Sequence, residues 1–282
     1  MSDTLFEKAM SIPWADGDVK NGKGQNAPDE GPDAAKIAML AEAGENGSAE
    51  AAKLLMDIFL YGKHNFKTDF AQSRHWAEKL ISCGRADAVA YMALGRVYSD
   101  NKAWSRYETL PEYVDYEKAL GYFKISADQM MKNNRYIAYL FYHDDITGFA
   151  PEEGDKSAKD TALKYMLMAA SMNDATANYE IGKWYPEGEI TPPQNMTRAQ
   201  AAIHYFEECN KNANHGSAPG VRQSLEALSD IYLNGKESRY LKGVEGAEGI
   251  AVSLPDAERI LTIMCSEKYY GDEYRALLES IK

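Results

Sequence analysis

The chain has 282 residues, of which 31 are Lys or Arg and 43 are Asp or Glu, leaving a formal charge of −12. That surplus of acid argues against a nucleic-acid backbone or an anionic membrane as the main partner, since both are bound by Lys and Arg. Three cysteines, Cys83, Cys209 and Cys265, make an odd, widely spaced set, unlike the dense even count of a secreted disulfide framework.

The N-terminus, Met1-Ser2-Asp3-Thr4-Leu5-Phe6-Glu7, holds early acids and no apolar core of a signal peptide. No apolar run approaches the length of a transmembrane helix, so the expected location is the cytoplasm. Leu5 to Ser11 is predicted to form a short helix that packs on the first repeat unit. Asp16 to Pro32 is rich in Gly, Asn, Asp and Pro and is predicted to be a flexible loop. Ala34 to Gly44 has the pattern of the second helix of a pair whose first member is missing or divergent.

Beyond this point a pattern returns about every 40 residues, the mark of stacked supersecondary units. A small residue sits in an apolar helical run, an aromatic follows three positions later, and often a Gly three after that. The copies are Leu55 to Gly62, Leu94-Gly95-Arg96-Val97-Tyr98, Ile181 to Gly188 and Leu228 to Gly235. One further copy lies in between, where either Ile137-Ala138 or Phe141-Tyr142 could fill the first two positions. Each copy is followed by a second apolar helix: Asp69 to Lys79, Asp115 to Lys124, Thr161 to Ala170, Ala201 to Cys209 and, more weakly, Asp256 to Cys265. In each, Ala or a similar small residue stands about four positions before a large one, so both lie on one helix face. Two insertions break the rhythm. Asn101 to Val114 holds Trp104, Tyr107 and Tyr113, and Lys236 to Pro255 holds Tyr240. Asp272 to Glu279 reads as a terminal capping helix with a polar outer face.

The paired pattern, L-G-x-x-Y-x-x-G, a polar loop, then D-x-x-K-A-x-x-W/Y-Y/F-x-K-A-A, resembles the Sel1-like repeat, a relative of the tetratricopeptide repeat. Asp115, Lys118, Ala119, Tyr122, Phe123 and Ala127 match its second half, and Ile181, Gly182, Tyr185 and Gly188 its first. The G-x-G-V stretch typical of the inter-helix loop is absent. The resemblance covers residues 33–270 and implies an all-α fold: an α/α solenoid of about five helix pairs. The expected domain organisation is an N-terminal helix and loop over 1–32, the repeat array over 33–270, and a capping helix over 271–282.

In such arrays the first helices of the pairs line a concave groove. The resemblance places two residues of each unit in it: Lys53 and Asp57, Met92 and Arg96, Tyr179 and Lys183, Glu226 and Asp230. Tyr139 falls in the groove under either register of the third unit. Aromatic residues, Met and Arg suit a protein interface. The insertion aromatics Trp104, Tyr107, Tyr113 and Tyr240 either form a second contact set, as insertions in repeat arrays often do, or fold back over the solenoid edge.

Signals for catalysis are weak. Asn21-Gly22-Lys23-Gly24 lacks the spacing of a phosphate-binding loop. His204 and Glu208 stand four apart on one helix side but have no second His at metalloprotease spacing. His143-Asp144-Asp145 could chelate a metal, or simply supply turn polarity. Cys83 and Cys265 occupy positions usually filled by Ala, and Asn195-Met196-Thr197 is a glycosylation sequon that matters only on a secretory route. The expectation is a non-enzymatic adaptor without a cofactor that captures a protein or peptide. The alternative is a metal-dependent hydrolase built on His143, Asp144 and Asp145 or on His204 and Glu208. Bacterial members of the family include immunity proteins that neutralise a cognate toxin, and an acidic chain would suit a basic one.

Overall fold

A computed structural model describes residues 2–15, 31, 33–99, 111–188, 190–211, 220–266 and 272–282. Among them the regular elements are helices, with no strand. The chain divides into two compact units, residues 1–133 and 134–282.

The first unit contains α1 (Ser2–Ser11), α2 (Ala34–Glu45), α3 (Ala49–Tyr61), α4 (Phe70–Ser82), α5 (Ala88–Tyr98) and α6 (Tyr116–Gln129). α3 pairs with α4 and α5 with α6, and each of α2 to α5 also packs on the helix that follows it. The helix preceding α2 is α1, which packs against it. Lys36 Nζ donates to Ile12 O at 2.6 Å and Ala15 N donates to Asp33 Oδ1 at 3.0 Å. The Gly- and Asn-rich residues 16–30, including Asn21 to Gly24, lie outside the described residues.

The sequence starts most of these helices with a capping side chain. Ser48 accepts from Ala51 N, Asp69 from Gln72 N, and Asp115 from Lys118 N. Asp87 accepts from both Val89 N and Ala90 N. Each such cap is worth about 1 kcal/mol, because it satisfies a donor the helix leaves orphaned. Gly62 ends α3 at φ 64°, a left-handed conformation that Gly adopts without penalty.

The small residue of the repeat has a packing reason. A Cβ on Gly95 of α5 would lie less than 3.0 Å from three ring carbons of Phe123 on α6. Phe123 is fully buried. The bare Gly lets the ring rest on the helix backbone, and Tyr98 then stacks on Tyr122 with ring centres 5.8 Å apart.

The second unit contains α7 (Asn134–Tyr142), the single turn α8 (Asp144–Thr147), α9 (Ala158–Ala170), α10 (Ala175–Glu187), α11 (Arg198–Lys211), α12 (Val221–Asn234), α13 (Leu254–Ser266) and α14 (Asp272–Ile281). The pairs are α7 with α9, α10 with α11, and α12 with α13. Gly182 repeats the device of Gly95, since a Cβ there would meet the Phe206 ring at 2.7 Å. Tyr185 stacks on Tyr205 at 5.8 Å, and Phe141 stacks on Tyr165 at 6.1 Å. Phe141 therefore fills the repeat's aromatic position, which fixes the register of this pair on Ile137-Ala138. Helix α14 packs on α13, with Arg275, Ala276, Glu279 and Ser280 facing solvent.

The insertion after α12 folds back onto its own unit. Ser238 Oγ donates to Asp230 Oδ2 at 2.5 Å, Leu241 is fully buried, and Ala199 N donates to Glu245 O at 3.1 Å. Among the described residues no helix is long and apolar enough to cross a membrane.

Candidate functional site

The first-helix residues selected from the sequence make ion pairs and ring contacts with neighbouring elements. In the first unit, Lys53 of α3 pairs with Asp87 at the start of α5, 2.7 Å apart. Burial raises the Asp87 carboxyl, but the Lys53 ammonium and the Ala90 N–H outweigh it and hold the group below the ordinary carboxylate range. Asp57 accepts from Lys63 Nζ at 2.5 Å. The Arg96 guanidinium lies 4.9 Å from the centre of the Tyr61 ring, at cation–π distance. Met92 is buried, at 7 % exposure, and serves the core.

In the second unit Tyr139 is also almost enclosed, at 9 % exposure. Burial, with Glu180 adding to it, raises its hydroxyl well above the ordinary value. Near it Arg135 pairs with Asp174, whose other carboxylate oxygen caps α10 through Ala177 N. Tyr179 is half-buried, and burial, with Glu180, Tyr240 and Glu226 adding to it, pushes its hydroxyl up to about 12. Lys183 bonds to Glu180 at 3.0 Å and lies 5.4 Å from the centre of the Tyr179 ring. Glu226 accepts from Arg222 Nε at 2.9 Å.

Asp230 is the anchor of the following loop. Besides Ser238 it accepts from Arg239 N at 3.0 Å and Asn234 Nδ2 at 3.1 Å. Arg239 then donates to the Tyr240 hydroxyl at 3.1 Å. The fold thus brings together the first-helix residues Tyr179, Lys183, Glu226 and Asp230 and the insertion residue Tyr240. Sequence reasoning missed Glu180 and Arg239. The i, i+3 spacing of Glu180 and Lys183 was the available signal for the first. Nothing local marks Arg239, whose position follows from the loop's return to Asp230.

Tyr113, from the other insertion, sits elsewhere. Arg74 of α4 lies 5.9 Å from its ring centre and 5.9 Å from that of Tyr98. Tyr113 shares the Arg74 guanidinium with Tyr98, the last residue of α5. Trp104 and Tyr107 lie outside the described residues.

The residues of the hydrolase alternative do not assemble. His143 is half-buried just before α8, edge-on to the Tyr142 ring. Burial lowers its basicity although Asp145 works the other way. His204 is exposed, edge-on to Tyr205, and Glu208 pairs with Lys211. Among the described residues no group of three His, Cys, Asp or Glu could hold a metal ion. Cys83 is exposed, Cys265 half-buried and Cys209 buried.

No model of a known protein family and no curated protein matches this sequence. Solved structures do. The chain is similar to a Sel1 repeat protein from Oxalobacter formigenes at a TM-score of 0.53 and 17% identity, covering 95% of this chain and 89% of that one. It is also similar to c5321, a protective antigen of uropathogenic Escherichia coli with an SLR fold, at 0.49 and 16% identity, covering 99% of this chain and 56% of that one. A third likeness, at 0.44 and 16% identity, is to the immunity protein Pa5087 of Pseudomonas aeruginosa, covering 99% of this chain and 81% of that one. At these identities only the fold is held in common, and the first comparison carries that conclusion. It agrees with the Gly-on-Phe and Tyr-on-Tyr contacts that recur between paired helices: this all-α chain has the α/α-solenoid fold of a Sel1 repeat protein.

Proposed function

We propose that this chain is a non-enzymatic scaffold that captures a protein or peptide on the first-helix surface of residues 134–282. The reading rests on one observation. Tyr179, Lys183, Glu226, Arg239 and Tyr240 come from two helices and a loop and meet at one partly exposed surface. Tyr and Arg are the residues that carry binding energy in protein interfaces, because they offer large rigid area with a polar end. Within the first unit, Lys53, Asp57 and Arg96 supply charged and cation–π groups of the same class.

The chain's charge of −12 supports a basic partner, since long-range attraction raises the rate of encounter. A cytoplasmic immunity protein that neutralises a basic toxin is the specific form of this proposal.

The test is affinity capture from the source organism's lysate, comparing wild type with the double variant Lys183→Ala, Tyr240→Ala. Both side chains are partly exposed and neither fills the core, so the bait stays folded. Tyr139 is unsuited to this test because it is almost enclosed. A protein held by the wild type and lost by the variant supports the surface. Equal retention by both refutes it. The immunity reading is tested by co-expressing the chain with a toxin encoded beside it, and unprotected cells count against that reading alone.

A further inference from the structure

Residues 9–15 run from the end of α1 over the start of α2 to the turn between α3 and α4. Ala9 is fully buried, but Ser11, Ile12, Pro13 and Ala15 are exposed and Trp14 is only half-buried. Two buried charges hold this strap. Lys36 Nζ donates to Ile12 O at 2.6 Å, and Asp33 Oδ1 accepts from Ala15 N at 3.0 Å.

The indole of Trp14 is gripped on both faces. The Lys36 ammonium lies 3.8 Å from its ring centre, at cation–π distance. The His64 imidazole stacks on it with ring centres 3.8 Å apart and planes 8° from parallel. A ring so placed fills the space over its own face, so the ammonium takes the opposite one.

His64 belongs to the turn from Gly62 to Asp69 that joins α3 to α4. It sits at φ 53° and Asn65 at φ 62°. His and Asn tolerate this left-handed conformation better than most residues but do not take it freely. Two in succession persist only where the surroundings hold them. Within the turn Phe66 N donates to Lys63 O at 3.1 Å, and Asp69 N donates to Phe59 O at 2.8 Å. The residue before His64 is Lys63, whose ammonium lies on Asp57.

We propose that residues 9–15 form a releasable strap with Trp14 as its latch. The docked indole holds His64 and Asn65 left-handed, which keeps Lys63 on Asp57. Release of the indole lets the turn relax and bares the Asp57 carboxylate. Little opposes release, because most of the strap already faces water. The charges of Asp33 and Lys36, dehydrated while the strap is docked, also regain water when it leaves. A bared acid in the first unit favours a basic partner; that consequence rests on the proposed capture of such a partner, whereas the latch does not.

The test is hydrogen–deuterium exchange of the full-length protein, read by mass spectrometry with no partner present. Trp14→Ala should speed exchange across residues 63–69 by about tenfold or more, while α5 and α6 exchange as in wild type. Asn65→Gly lets the turn stay left-handed without the indole. Adding Trp14→Ala to Asn65→Gly should therefore speed exchange there by less than about threefold. Lys63, freed from Asp57, should also be acetylated faster by acetic anhydride in Trp14→Ala than in wild type. Unchanged exchange at 63–69 in Trp14→Ala, or faster exchange spread over all of α2 to α6, overturns the latch. An equal effect of Trp14→Ala with and without Asn65→Gly overturns the part given to the left-handed residues. Unchanged acetylation of Lys63 overturns the masking of Asp57.

Discussion

The same substitution at two glycines of one helix pair should change stability in opposite directions. Gly95 lies in α5 and Gly121 in α6. In a helix interior Gly→Ala is favourable by about 1 kcal/mol, because Ala loses less backbone entropy on folding. At Gly121 a new Cβ meets nothing within 4 Å, so the whole of that gain should be realised. At Gly95 the Cβ would press on three ring carbons of Phe123 at less than 3.0 Å. That ring is fully enclosed and cannot swing into solvent. Overpacking of this kind costs about 1–3 kcal/mol, and so short a contact belongs in the upper half of that range. After the helical gain is subtracted, Gly95→Ala should destabilise by about 1–2 kcal/mol. The two variants should therefore differ by about 2–3 kcal/mol, read as urea midpoints from far-UV circular dichroism. Adding Phe123→Leu should relieve part of the strain in Gly95→Ala. If Gly95→Ala proves as stable as Gly121→Ala, the account of the repeat's small residue as a seat for the opposing ring is wrong.

The Asp87 carboxyl is held below its ordinary value in the folded state. Its stabilising contribution is therefore complete above the ordinary carboxylate pKa of about 3.9 and lost as pH falls through the lower folded value. Lys53→Met removes part of the cause, so it should shrink the stability lost between neutral pH and about pH 3, by a few tenths of a kcal/mol for so exposed a pair. Asp230→Ala removes the acceptor for Ser238 Oγ and Arg239 N, and limited trypsin digestion should then cut at Arg239 much faster than in wild type. Thiol labelling at pH 8 should modify the exposed Cys83 first and Cys265 more slowly. Cys209, buried and with its thiol pushed up to about 11 by that burial, should react only on unfolding. Rapid labelling of Cys209 in the native protein would contradict the packing of α11.

The helix pairs were readable from the chain alone, though α9 and α11 begin three residues before the Thr161 and Ala201 of the repeat pattern. Asp69, Asp87, Asp115, Ser157 and Asp174 cap helices within their own local sequence, so capping depends on neighbours three positions away. The Leu-Gly-x-x-Tyr pattern likewise recorded its own reason, because Gly95 and Gly182 must each leave room for a ring on the following helix. What the neighbouring elements cover was not readable. Groove positions chosen by repeat spacing include Met92 and Tyr139, which the fold encloses, beside Lys53 and Lys183, which stay partly open. Spacing fixes the face of a helix, while exposure depends on how closely the adjacent helix approaches. The register of the third pair needed the ring contact between Phe141 and Tyr165, residues on different helices. The meeting of Tyr240 with Tyr179 depended on a loop turning back to Asp230, and that of Trp14 with His64 on the N-terminal segment reaching the turn between α3 and α4. Local sequence settled what each segment becomes; only the packing of segments distant along the chain decided which side chains a ligand can reach.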